Sequence, residues 1–310
     1  MTGTDEKVLT AEQVSEKPSI FQSPTFKRVT ENVMHGVFLV SACISILAVC
    51  LICLFMFVNG IPAIKEIGVF NFLLGEKWKP TDTNPQFGIM PMVLGSLYIT
   101  AGAIITGVPT GLLTAIFLSE FCPKKIYKIV KPMVNLLAGI PSIVYGFFGM
   151  VVLVPFVRNN IGGNGNSILT ASVLLGIMIL PTIVGLSESA LNAVPRSYYE
   201  GALALGATKE RAIMTVMFPA AKSGILSSVI LGIGRAVGET MAVIMVAGNQ
   251  AMMPNSILNG ARTLTSNIVT EMGYASGLHY DALIATGVVL FVFILILNLI
   301  FSIVTNQKKG

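Results

Sequence analysis

The residues of this sequence best placed to do chemistry are Arg235 and Glu239, because both sit inside the apolar run ILGIGRAVGETMAVIMVAGN. Four residues apart, they share one face of a helix. An ionised arginine within a membrane span costs about 2.5–3.5 kcal/mol on insertion scales, so such residues turn toward a bundle interior or an aqueous path. Glu239 offsets part of that cost by pairing. A buried pair is often no more stabilising than an apolar replacement, which points to function as the reason for its presence. A purely structural ion pair is the alternative. The planar guanidinium fork suits an oxyanion, since it donates bidentately to phosphate-like oxygens. On the adjacent face, Gly234, Gly238 and Ala242 form a stripe of small residues, a surface for close helix approach.

The remaining polar residues are weaker candidates. Glu188 falls near the cytoplasmic end of an apolar run, where hydration suffices for it, and Asp281 reads as an interfacial charge. His35 and His279 lie at the ends of apolar runs, and two isolated histidines make no metal site. Cys50 and Cys53 form a C-x-x-C inside an apolar run, where thiolates are disfavoured and packing is the expected role. Cys43 and Cys122 read the same way. GALALGATK has two glycines five apart and then a lysine, but a phosphate-cradling loop needs G-x-x-x-x-G-K-[ST] after a buried strand. Here Ala207 follows Gly206 and helical sequence precedes it, so no ATP site is expected in this chain. No Ser/His/Asp or Cys/His arrangement appears, and no residue is assigned a catalytic role.

The elements that must position these residues are membrane helices. Only 11% of the 310 residues are charged and 54% are hydrophobic, whereas an ordinary soluble domain carries about 25% charged residues. The apolar residues arrive in blocks, and roughly 20 of them cross the hydrocarbon core as a helix. Six spans are predicted, at 33–58, 89–119, 133–157, 168–190, 223–248 and 281–305, with a kink expected at Pro181. The connections that hold both termini and the second and fourth loops carry fourteen Lys and Arg, against five on the alternate side. The positive-inside rule therefore places both termini in the cytoplasm. The net charge of +5 is a topology signal, and no basic face with interleaved aromatics suggests nucleic acid. The first 32 residues are polar and show no cleavable signal peptide. Residues 1–20 are expected to be loose, and 21–32 to lie at the membrane surface. The predicted organisation is a cytoplasmic tail at 1–30, a permease domain at 31–305 and a short tail at 306–310. The first external connection is expected to hold a short surface helix ending at Trp78, an interfacial anchor, and RNNIGGNGNS at 158–167 a flexible turn.

The fourth-to-fifth connection, LNAVPRSYYEGALALGATKERAIMTVMFPAAK, is not a structureless loop. Pro195 fits just before a helix, Gly206 breaks it, Thr208 caps a second helix and Pro219 ends that one. Two short helices in an elbow, carrying Leu203, Leu205, Ile213, Val216 and Phe218, make a partly apolar knob that wants a protein partner.

Glu200-Gly-Ala202, Gly206 four residues on, and Val216-Met-Phe-Pro219 after nine more resemble the EAA loop of ABC importer permeases, with Gly201, Val216 and Phe218 as mild departures. The stretch GRAVGETMAV, with WKP at 78–80, FGIMP at 87–91 and GSL at 95–97, is similar to the PstC-type phosphate permeases of that family. The resemblance covers about residues 31–305. It implies an all-α, MetI-like core of the type I importer class. It further implies coupling to an ATPase through Glu200, Gly206 and Pro219 in the elbow at 195–220, and a phosphate path at Arg235 and Glu239. The implied partners are a PstA-like second permease, a PstB-like ATPase pair holding ATP and Mg, a PstS-like external phosphate-binding protein, and membrane lipid. Permeation of another oxyanion, sulfate or molybdate, is the nearest alternative, and a gradient-driven secondary transporter the next.

Overall fold

The computed structural model describes residues 24–306, so the expectations for residues 1–20 and for the C-terminal tail lie outside the described residues, apart from Asn306. Residues 24–32, expected at the membrane surface, are the first turns of a long helix. The described residues fall into two compact units that divide after Phe55. In the first, helix α1 (Pro24–Ile67) begins, and its apolar side chains from Val33 to Phe55 are largely exposed.

The second unit is also helical. After α2 (Val69–Leu74) comes a hairpin of β1 (Trp78–Lys79) and β2 (Gln86–Phe87), antiparallel with Trp78 opposite Phe87. Trp78 is therefore on a strand, and at 5% exposure it is no lipid anchor. Its indole N–H donates to Glu271 at 2.8 Å, a partner that satisfies the group when buried. Helix α3 (Met90–Ile116) ends in a π-helical turn, Phe117–Phe121.

The predicted third span needs correction. Residues 124–139 form an amphipathic helix, α4 (Lys124–Gly139), which stops at Ile140 because Pro141 disfavours helical geometry in the residue before it. The apolar crossing runs from Ser142 to Asn160 through α5 (Ser142–Phe148), a π-helical turn (Gly149–Leu153) and α6 (Val154–Asn160). The turn that follows is held by Arg158, whose Nε donates to Asn164 O at 2.9 Å. Helix α7 (Ile168–Asn192), capped by Ser167, runs on through Pro181 without a break.

Close packing occurs between α3 and α7. A Cβ on Gly107 would lie 2.8 Å from both Gly176 O and the Ile179 side chain, so these backbones meet where small residues allow it. Of the predicted small-residue stripe, Ala242 is buried against Gly146 within this chain. Gly234 and Gly238 are exposed, with nothing within 4 Å of a Cβ at either position.

The elbow comprises α8 (Arg196–Ala204), α9 (Lys209–Ala212), a π-helical turn (Ile213–Met217) and α10 (Phe218–Ala220). Helix α11 (Lys222–Gly238) follows at a bend of 71°. Short helix α12 (Met241–Val246), helix α13 (Leu264–Glu271) and α14 (Leu278–Asn306) complete the described residues. Among the described residues, five helices are long and apolar enough to cross a membrane, and six if the bent pair at 209–238 counts as one span.

Candidate functional site

The fifth span, predicted as one helix over 223–248, is broken where its charged residues lie. Helix α11 stops at Gly238, a poor helix former. Glu239 is extended at φ −70°, ψ 131°, and α12 starts two residues later. The helix face expected to carry both Arg235 and Glu239 therefore ends between them, and the two form no ion pair. Glu239 turns its carboxylate forward to accept from Ala242 N–H at 3.1 Å, satisfying a first-turn donor of α12. Arg235, half-buried in the last turn of α11, donates to Thr182 Oγ1 of α7 at 3.4 Å. No carboxylate among the described residues pairs with it. The structure thus presents a cation at the end of a broken span, beside the exposed backbone of Gly234 and Gly238.

The elbow matches its predicted outline. Pro195 precedes α8, Gly206 makes the turn at φ +86°, and Thr208 caps α9 by accepting from Arg211 N–H. That φ lies in the left-handed region, where glycine carries no Cβ penalty. Pro219 does not end the second helix. The π-helical turn ahead of it accommodates its missing N–H, and the chain bends at Ala221 instead. Of the knob's apolar residues, Ile213 is buried together with Met217, while Leu203 and Leu205 are exposed, Leu205 at 91%. Glu200 and Gly206 are exposed as well. The inner residues join the cluster of Ile116, Leu191 and Ile225 and fix the knob to the helix ends. Arg196 pairs with Glu120 at 3.2 Å, and Lys209 lies 4.7 Å from the centre of the Phe121 ring.

Two polar clusters were not anticipated. Glu188, expected to be hydrated, is 2% exposed. It accepts from Lys131 Nζ at 2.6 Å and Tyr127 OH at 2.7 Å, tying α4 to α7 beside the elbow. Its hydrogen bond, followed by burial and its negative charge, holds the Tyr127 phenol above its ordinary value of 10.0. In the second cluster Glu271 is the hub. It accepts from Trp78, from Arg262, and from His279 Nε2 at 2.8 Å, so His279 is not isolated. Burial and the nearby Glu271 charge raise the Tyr274 phenol, and Arg262 opposes the shift. Hydropathy hides both clusters, because their members are far apart in sequence and each reads as a lone loop or end charge.

The family described as "Binding-protein-dependent transport system inner membrane component" matches residues 107–307. The chain is 38% identical over 283 residues to the "Probable ABC transporter permease protein YqgH" of Bacillus subtilis, covering 89% of this chain and 92% of that one. It is 36% identical over 272 residues to the "Phosphate transport system permease protein PstC" of Haemophilus influenzae, covering 80% and 85%. Among solved structures, the fold resembles the inward-facing MetNI methionine ABC transporter, with TM-score 0.57 and 23% identity over 71% of this chain and 95% of that one. It also resembles a bacterial ABC transporter that imports alginate, with TM-score 0.64 and 14% identity over 91% and 100%. At these identities the two structures speak for the fold alone.

Proposed function

We propose, from the premise that the chain belongs to the inner-membrane components of binding-protein-dependent transport systems, that it carries inorganic phosphate into the cytoplasm. It is a PstC-like, multi-pass permease subunit of an ABC importer, a class that works with an ATPase and a substrate-binding protein. The observation that carries the phosphate reading is Arg235, a cation at the break of the fifth span with no carboxylate among the described residues to neutralise it. An unpaired arginine there lowers the barrier to an anion, and its fork accommodates tetrahedral oxyanions. The names of the PstC relatives support phosphate within that class.

In this reading both termini are cytoplasmic, in keeping with the lysine and arginine distribution. The tip formed by Tyr198, Leu203 and Leu205 seats in a groove of a PstB-like ATPase, with Glu200, Gly206 and Pro219 shaping the contact. ATP and Mg belong to that ATPase, and this chain contributes no hydrolytic residue. A PstA-like second permease completes the path, and a PstS-like protein delivers phosphate from outside. Closure of the ATPase pair moves the elbow, and the rigid link through Ile213 and Met217 to the helix ends passes that movement to α11.

The test is uptake of labelled phosphate at low external phosphate, in cells lacking this chain and complemented with it, against excess unlabelled phosphate, sulfate or molybdate. The reading expects complementation and competition by phosphate alone. Competition by sulfate or molybdate reassigns the oxyanion, and absence of any phosphate uptake removes the substrate assignment.

A further inference from the structure

Helix α12 is short and lies beyond a break, so its geometry depends on what holds its two ends. At the first end, Glu239 lies between two helices and its carbonyl has no intrahelical amide to accept. Thr265, a buried residue of α13, donates its hydroxyl to that oxygen at 3.1 Å. In a span, a carbonyl freed by a break is tolerated only where the protein or a water-filled cavity supplies a partner, and here the protein does. At the second end, Ala261 N–H donates to Ala247 O at 2.8 Å, and Arg262 Nε donates to Asn249 O at 3.1 Å. Asn249 adopts φ +50° there and returns its own side-chain amide to Ile244 O at 2.7 Å.

Residues 261–265 therefore grip both ends of α12. The grip is itself anchored. The guanidinium of Arg262 is held by Glu271 and by Asn267 Oδ1 at 3.0 Å. Glu271 is bound in turn by Trp78 of the external hairpin and by His279 at the start of α14. The N-terminus of α13 is fixed by the reciprocal bonds of Thr263 and Ser266 and by Ser96 of α3, which accepts from Leu264 N–H at 3.0 Å.

We propose that Thr265 and Glu271 are positioning residues that hold the break in the fifth span in its bent form. Thr265 acts by capping the Glu239 carbonyl, and Glu271 by keeping Arg262 on the Asn249 carbonyl. The external face of the chain is thereby joined to the end of the helix that carries Arg235. Movement of the external hairpin or of α13, such as a docking protein would impose, reaches the break through these bonds. The inference rests on the reading that the break lies on the substrate path, but its first readout does not.

That readout is hydrogen–deuterium exchange in the complete importer in lipid nanodiscs, comparing wild type with Thr265→Val, Thr265→Ser and Glu271→Gln. Exchange over residues 239–249 should rise about tenfold in Thr265→Val and Glu271→Gln, the factor for one lost hydrogen bond of ordinary strength. Thr265→Ser keeps the hydroxyl and should match wild type, and exchange over α3 should not change. The maximal uptake rate should fall with the rise in exchange, while the concentration of loaded binding protein at half-maximal rate stays the same. Unchanged exchange at 239–249 in assembled Thr265→Val and Glu271→Gln overturns the proposal, and so does a rise spread equally over α3 and α7. Should the exchange respond as expected in an importer that does not move phosphate, the clamp stands and the substrate reading falls.

Discussion

Around the elbow, Lys131 and Arg196 each meet a buried carboxylate, Glu188 and Glu120, whereas at the break in the fifth span Arg235 meets, among the described residues, only the hydroxyl of Thr182. Both regions bend the chain, and both must stabilise charge or free backbone near a membrane. At the elbow, opposite charges from different helices are spent on one another, so the arrangement is structural and rigid. At the break, the backbone is satisfied by neutral donors and the cation is left over. In the function proposed above, ion pairs near the elbow build a lever, while the unpaired charge is where an anion would fit.

That contrast predicts which substitutions cost stability and which cost transport. Glu188→Ala strands Lys131 and Tyr127 beside a buried site and should lower unfolding stability by about 3 kcal/mol, read as thermal unfolding in detergent. The Glu188–Tyr127 bond gives a pH test. Because the folded phenol is held above 10.0, its contribution is complete below that pH and is lost as pH climbs through the raised value. Tyr127→Phe should remove that alkaline loss. Gly206→Val forces a β-branched side chain to φ +86° and should cost about 1–2 kcal/mol locally. Its expected readout is ATPase activity that no longer rises with loaded binding protein. Arg196→Ala should change stability by less than about 1 kcal/mol, because that side chain is 64% exposed and screened. A large loss there would break the comparison, since it would make a pair with an exposed cation as important as one with both partners enclosed.

Much of the elbow is legible in the sequence because its turns are written in residues with local constraints. Pro195, Gly206 and Thr208 each act through their own backbone or the next turn, and all three fall where expected. The spans are legible from hydropathy, except where an amphipathic helix precedes the third: Met133 and Leu136 read as membrane residues but belong to α4. The break at Glu239 is not legible. GETMAV carries no proline, and Gly238 alone does not require a stop. The bent form depends on Thr265 and Arg262, more than twenty residues downstream. For the same reason the pairing of Arg235 with Glu239, sound for a continuous helix, does not occur. Glu188 reads as a solvated charge in the sequence, and it and Glu271 become buried hubs only when α4, the hairpin and α14 bring donors to them.

The most direct test of the central claim is to measure phosphate uptake and thermal stability together for Arg235→Ala in the assembled importer. The account predicts that uptake falls on the order of 100-fold, the factor carried by about 3 kcal/mol at a charged site within a span, while membrane level and unfolding temperature match wild type. Retained uptake, or a loss of stability that parallels the loss of uptake, would contradict it and make Arg235 one more structural charge.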